Sequence, residues 1–228
     1  LDFADAHYNL GLTLKELDQH DDAVKSYEKV LAIKPDYTEA HNNLGNALKE
    51  LGQLDDAIKC YKKALAIKED YAEAHYNLGL TFQGLSQLDD AVKSYKKALA
   101  IKEDYAEAHN NLGIALKELG QLDDAVKSYK KALAIKEDFA DAYNNLGNAL
   151  NDLGQLDHAI NNYEKAIAIK TNYTSAHLNL SRLKKYIAND TQITQMQSLI
   201  SNSNLSKLDY IYLNFALAKV YEDLGNTD

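Results

Sequence analysis

The sequence predicts an all-α, right-handed superhelical solenoid of 34-residue helix–turn–helix units. Three observations predict it. An aromatic residue recurs every 34 positions without a slip, at Phe3, Tyr37, Tyr71, Tyr105, Phe139 and Tyr173. Gly11, Gly45, Gly79, Gly113 and Gly147 keep the same period, as do Ala23, Ala57, Ala91, Ala125 and Ala159. The 228 residues include one Pro and ten Gly, too few turn formers for a loop-rich chain.

Each unit reads as two helices, A and B. Five full units run 4–37, 38–71, 72–105, 106–139 and 140–173, and residues 1–3 read as the end of a preceding one. In the fourth, Ala108, Leu112, Ala115, Leu116 and Leu119 form one apolar stripe at helical spacing on helix A. Gly120-Gln121 breaks that helix. Asp123 then opens helix B, which runs to about Lys136 with Ala125, Val126, Tyr129, Ala132 and Leu133 facing inward. Acids at its start and lysines after them suit the helix macrodipole, and Asp123 with Lys127 forms an i,i+4 pair. The pairs Asp36/Glu39, Asp70/Glu73, Asp104/Glu107 and Asp138/Asp141 have capping-box spacing at each helix A. Glycine inside a helix costs about 1 kcal/mol against alanine, so its recurrence on helix A implies close helix packing.

A 34-residue helix–turn–helix with Leu112-Gly113 on helix A, then Ala125, Tyr129 and Ala132 on helix B, resembles the tetratricopeptide repeat. The resemblance covers residues 4–173, and Pro35 holds the closing proline. Two departures stand out. The usual early aromatic of helix A is His7, His41, His75 and His109, then Tyr143. The closing proline becomes Glu69, Glu103, Glu137 and Thr171, which loosens the inter-repeat turns slightly through the unfolded state without abolishing the fold.

Beyond Tyr173 the register weakens. Residues 174–210 read as a degenerate sixth repeat, with a helix A from Thr174 to Tyr186 and a further helix capped by Asp190. After a polar linker, Ser201 to Ser206, the pair Ser206/Asp209 has capping-box spacing for a last helix, Leu208 to Leu224. Residues 211–228 read as the first helix of a truncated seventh repeat. Both ends cut through a repeat, so the sequence reads as a fragment of a longer protein. Segments around Leu180–Tyr186, Gln192–Met196 and Leu217–Gly225 are similar to a stretch of bacterial repeat proteins that often precedes a sulfotransferase domain.

Composition excludes several function classes. No apolar run approaches the 18 or so residues that cross a bilayer, and no signal peptide is visible, so a cytoplasmic location is expected. A net charge of −9 argues against nucleic-acid binding. All of it lies in residues 1–173, because 174–228 carries five basic and five acidic residues. Cys60 occupies the place of Ser26, Ser94 and Ser128, an interchangeable small residue rather than a nucleophile. The helix A histidines sit one helix pair apart, roughly 10 Å for packed helices, too far to share one zinc ion; His20 and His158 stand singly. Paired acids such as Asp89-Asp90 do not converge on one substrate atom. No catalytic, cofactor or metal site is expected.

One pattern goes beyond scaffolding. Asn9, Asn43, Asn77, Asn111, Asn145 and Asn179 recur just before the Leu-Gly position, although Asn is a mediocre helix former. A ladder of amides offers donors and acceptors to the backbone of an extended peptide; the alternative is that each bonds locally between helices. The ladder resembles that of the repeat arm of O-linked N-acetylglucosamine transferases, which implies peptide binding. Tyr8, Asn42, Tyr76, Asn110 and Asn144 lie one position earlier. Repeat domains that clamp the carboxylate of chaperone tails use Lys there, so that partner is disfavoured. Glu39, Glu73 and Glu107 read chiefly as capping residues. The expected function is a protein-interaction scaffold holding a neutral or basic extended peptide in its concave groove. The alternatives are the substrate-recruiting arm of a glycosyl- or sulfotransferase, and a module that self-associates end to end.

Overall fold

The computed structural model describes residues 3–201 and 205–225, and every regular element among them is an α-helix. The chain divides into two compact units, 1–119 and 120–228. The first holds α1 (Phe3–Glu16), α2 (His20–Ile33), α3 (Thr38–Glu50), α4 (Leu54–Ile67), α5 (Ala72–Gly84), α6 (Leu88–Ile101) and α7 (Ala106–Glu118). The second holds α8 (Leu122–Ile135), α9 (Ala140–Asp152), α10 (Leu156–Ile169), α11 (Thr174–Leu183), α12 (Thr191–Ile200) and α13 (Lys207–Asp223). Odd-numbered helices are A helices and even-numbered ones are B helices.

In four of the pairs a tyrosine on B fits the glycine on A. Tyr27, Tyr61, Tyr95 and Tyr163 are fully buried, and a Cβ placed on Gly11, Gly45, Gly79 or Gly147 would lie 2.6 Å from the respective ring. The recurrent glycine therefore makes room for a ring, which offsets its low helix propensity. Burial pushes the Tyr27 and Tyr163 hydroxyls up to about 12 and raises Tyr61 and Tyr95 further, so all stay protonated donors. Tyr61 donates to Asn46 Oδ1 at 2.8 Å, Tyr95 to Gln83 Oε1 at 2.8 Å, and Tyr163 to Asn148 Oδ1 at 2.9 Å. The Tyr27 hydroxyl is buried without a partner, because Leu12 stands where Asn46 and Asn148 stand in later repeats.

The A-to-B turn has left-handed backbone at its centre. Gly52, Gly120 and Gly154 take φ of 75°, 76° and 73°, and Asp18 and Ser86 hold the same place at 56° and 58°. Two expectations about helix starts need correction. The N-caps of α3, α5, α7 and α9 are Tyr37, Tyr71, Tyr105 and Phe139, with no side-chain cap bond. Asp36, Asp70, Asp104 and Asp138 sit one residue too early to cap, so the capping boxes do not form. Helices α4, α6, α8 and α10 begin at a leucine rather than the first acid and α2 at His20, and the lysine pairs with the second acid: Lys127 Nζ lies 2.8 Å from Asp124 Oδ1, as Lys25 from Asp22. Exposed pairs of this kind contribute at most about 1 kcal/mol.

In the degenerate repeat, α11 ends at Leu183 rather than continuing to Tyr186. Tyr186 leaves the helix yet is buried, with its hydroxyl donating to Gln192 Oε1 at 2.8 Å. Asp190 caps α12 by accepting from Gln192 N–H, and Ser206 caps α13 by accepting from Asp209 N–H, as their spacing predicts. α13 packs on α11 and α12 through Met196, Leu213, Ala216 and Val220. The linker residues 202–204 lie outside the described residues.

Candidate functional site

Consecutive A helices α3, α5 and α7 pack on one another directly. Their common side carries the asparagine ladder, and the structure shows what each amide does. Asn43 Nδ2 donates to Tyr8 Oη at 2.9 Å, Asn77 Nδ2 to Asn42 Oδ1 at 3.0 Å, and Asn111 Nδ2 to Tyr76 Oη at 2.9 Å. In the second unit Asn179 Nδ2 donates to Asn144 Oδ1 at 3.2 Å and to Asn148 Oδ1 at 3.0 Å. Each of these amides bonds back one repeat to the residue preceding the ladder position, and Asn179 also reaches Asn148, three residues beyond it. Within each unit the two columns that the sequence singles out thus bond to each other and join neighbouring repeats. Asn42, Asn110 and Asn144 are buried, Asn43, Asn77, Asn111, Asn145, Asn179 and Tyr76 half-buried, and Asn9 exposed.

Tyrosines frame the ladder. Tyr8 stacks on Tyr37 with centroids 5.0 Å apart, and Tyr76 lies 4.8 Å from Tyr105. Burial raises Tyr76, and then the negative charge of Glu107 adds to it, so its hydroxyl keeps its proton while accepting from Asn111. Tyr71 is pushed up to about 12 by burial first, then by Glu39 and Glu73. Those exposed glutamates are therefore not capping residues. They impose negative potential on the tyrosine-lined face.

Two features of this face escaped sequence reasoning. Lys34, Lys68 and Lys102 place their ammonium groups over Tyr37, Tyr71 and Tyr105 at 5.9, 5.4 and 4.6 Å, and Lys136 and Lys170 repeat this over Phe139 and Tyr173. The signal was a Lys-x-x-aromatic spacing at every repeat junction. Asn46 and Asn148 also act, the second joining Tyr163 to Asn179, and they share the 34-residue period with each other.

The helix A histidines follow one rule. His41, His75, His109 and His177 are buried, and each ring Nε2 donates to the backbone carbonyl six residues earlier, of Pro35, Glu69, Glu103 and Thr171, at 2.8 to 3.1 Å. A carbonyl serves whatever side chain it belongs to, which explains why the closing proline is dispensable. Cys60 is buried, and burial pushes its thiol up to about 11, so it is no thiolate at neutral pH. Among the described residues, no group of three or more His, Cys, Asp or Glu is placed to hold a metal ion, and no helix is long and apolar enough to cross a membrane.

A helix–turn–helix array with glycine seated against tyrosine in pair after pair defines a repeat protein. The family model described as TPR repeat matches residues 13–52, 45–86, 85–120, 115–153 and 147–181, and the chain belongs to the tetratricopeptide-repeat family. Among solved structures it is similar to MamA, at 30% identity over 71% of this chain and 94% of that one, with a TM-score of 0.66. YrrB, described as a TPR protein with an unusual peptide-binding site, shares the fold at 22% identity, 77% and 96% coverage and a TM-score of 0.65. PilF of Pseudomonas aeruginosa shares it at 20% identity, 93% and 97% coverage and a TM-score of 0.79. None of the curated proteins compared with the chain matches it in sequence. The architecture is that of a protein-interaction scaffold.

Proposed function

We propose that the protein holds an extended peptide, or an extended segment of a partner protein, along its A-helix face. The observation that carries this reading is the tethering of the ladder amides. One N–H of Asn43 and of Asn77 is tied to the preceding repeat, which fixes the amide plane. A primary amide has two donor protons and an acceptor oxygen, so one bond leaves capacity for a partner. Groups held in place before binding lose little entropy on binding. The surrounding glutamates and the net charge of −9 favour a neutral or basic segment. The asparagine ladder's resemblance to the glycosyltransferase arm belongs to this same proposal.

Selection of peptides from a displayed library on the immobilised protein tests it. Selected peptides should lose about tenfold to thirtyfold in affinity for Asn43→Ala and Asn77→Ala chains, as expected for one or two lost hydrogen bonds. Unchanged affinity in both variants would overturn the reading. Because the same amides join repeats, these variants should also lose stability, and affinity must be read well below their melting temperatures.

A second reading, end-to-end self-association, rests on exposed apolar residues on and just after the first helix and on the last. Phe3, Leu10 and Leu17 lie seven apart at the start of the chain, and Leu208, Ile211 and Phe215 follow one face of α13, all exposed. Light scattering over a concentration series tests it, and a constant monomer mass refutes it. Recruitment of substrate to a larger enzyme is the peptide reading placed in a longer chain, and the coding sequence around this segment decides it.

A further inference from the structure

On the opposite side of the first unit, the B helices are separated by grooves. One cavity of about 590 Å³ lies between α2 and α4, and one of about 620 Å³ between α4 and α6. Equivalent residues of successive repeats build them. His41 and Lys63 line the first, with Leu31, Leu44 and Ile67. His75 and Lys97 line the second, with Leu65, Leu78 and Phe82.

The histidines are 7% and 6% exposed, and their Nδ1 atoms are buried without a hydrogen-bond partner. Their chemistry is fixed by the other nitrogen. Nε2 faces a carbonyl, which only accepts, so it carries the proton, and Nδ1 of the neutral ring is an acceptor waiting for a donor. Burial, and then the nearby Lys97 charge, hold His75 below the usual imidazole range and therefore neutral at pH 7. A carboxylate has no proton to offer Nδ1, and acids (Glu28 in the first cavity, Glu69 and Asp90 in the second) stand beside the lysines, so neither sign of net charge selects the occupant. A neutral group that both donates and accepts satisfies histidine and lysine together, and a primary carboxamide is such a group.

The chain itself shows a group that satisfies such a nitrogen. In the sixth repeat His177 donates through Nε2 to Thr171 in the same way, but its Nδ1 faces Gln192 Nε2 at 3.2 Å. The Gln192 carbonyl in turn accepts from Tyr186 Oη at 2.8 Å. Gln192 is buried and its neighbours Ile193 and Met196 close over the core. Lys63 and Lys97 line the open cavities and are the donors that can stand in for Tyr186 there.

We propose that the two grooves between the B helices are docking sites for a partner segment that inserts a glutamine side chain, its amide N–H donating to His41 or His75 Nδ1 and its carbonyl accepting from Lys63 or Lys97, with apolar residues beside it covering the leucines. The site is separate from the ladder face and does not depend on it.

The test uses the full chain, labelled with ¹⁵N at histidine, and a capped synthetic peptide of residues 190–201, whose Gln192 is the natural occupant. Variants His41→Asn and His75→Asn assign the imidazole signals. On titration the Nδ1 signals of His41 and His75 should move upfield to saturation, towards that of His177, which stays put. A peptide carrying Gln192→Leu should bind at least tenfold more weakly, and Lys97→Met in the protein should weaken binding severalfold at His75 while leaving His41 unchanged. Absence of binding overturns the proposal. So does binding that moves the Asn77 side-chain amide and leaves both imidazoles still, which places the peptide on the ladder face and leaves the histidines to buried water.

Discussion

Gly79→Ala isolates the contact that sets the spacing between paired helices. A Cβ at that position lies 2.6 Å from Cε1, 2.7 Å from Cδ1 and 3.1 Å from Cζ of Tyr95. Carbon pairs prefer about 3.5–4.0 Å, so the ring must retreat by about 1 Å. It has nowhere easy to go, because Tyr95 is fully buried and tied by its hydroxyl to Gln83. Overpacking of this kind costs about 1–3 kcal/mol, against about 1 kcal/mol gained in helix propensity. The expected net effect is a loss of up to about 2 kcal/mol. Tyr95→Leu removes the ring, and in that background Gly79→Ala should become stabilising by up to about 1 kcal/mol. A double-mutant cycle from urea unfolding, followed by circular dichroism, measures the coupling, and amide exchange in α5 and α6 localises it. A Gly79→Ala chain more stable than its parent would refute the assignment of glycine to ring clearance.

Three further outcomes follow from particular residues. Ser86→Gly should raise stability by about 0.5–1 kcal/mol, because Ser86 holds a φ of 58° that glycine adopts without cost, and thermal melting reads this directly. Acid should weaken the sixth repeat. His177 is fully buried, and burial lowers its pKa although its bond to Thr171 acts in the other direction. Its neutral form contributes full stability above the ordinary value of 6.5. Below that pH the unfolded chain binds a proton that the folded chain refuses, so stability falls by up to about 1.4 kcal/mol per pH unit until the lowered value is reached. Urea midpoints at pH 7.5 and 5.5 should differ in the parent and differ less in His177→Asn, where the lowered His75 still contributes. Asn77→Ala should cost about 1–2 kcal/mol by leaving the buried Asn42 amide short of a partner, measured by the same unfolding assay.

The fold was legible because a repeat reports each structural constraint several times. One glycine on a helix is ambiguous, whereas five at a period of 34 residues mark a packing requirement, and Tyr61 against Gly45 shows what that requirement is. Helix starts were less legible. Asp36 and Glu39 have capping-box spacing, but the aromatic Tyr37 takes the cap position because its ring must lie against Tyr8 and under Lys34, and tertiary packing outweighs a local hydrogen bond. Where no aromatic competes, at Ser206 and Asp209, the same spacing does produce a cap. The candidate face was legible as two columns of residues, but the bond between them was not. That bond joins residues 35 apart, one more than the period, and neither column alone shows that it serves the other.

The variation along the second column has a physical logic. Tyr8, Asn42, Tyr76 and Asn144 differ in size and shape, yet each presents an oxygen to the ladder asparagine of the next repeat. A phenol oxygen and an amide oxygen are equivalent as acceptors, so stacking of repeats survives the exchange. What changes is the surface offered to a partner: a ring and one hydroxyl proton from Tyr76, or a compact amide from Asn42. Stability and recognition are thereby separated at one position. Tyr76→Asn should keep the bond to Asn111, lose packing against Tyr105, and cost no more than about 1–2 kcal/mol. Tyr76→Phe keeps the ring and its packing but strands the Asn111 N–H, at a cost of about 1–3 kcal/mol. Peptides selected on the parent should discriminate the two variants in the opposite order where the ring is what they contact, binding Tyr76→Phe well and Tyr76→Asn poorly. If both variants bind alike and unfold alike, the column is neither a joint between repeats nor a contact surface, and the proposed division of labour fails.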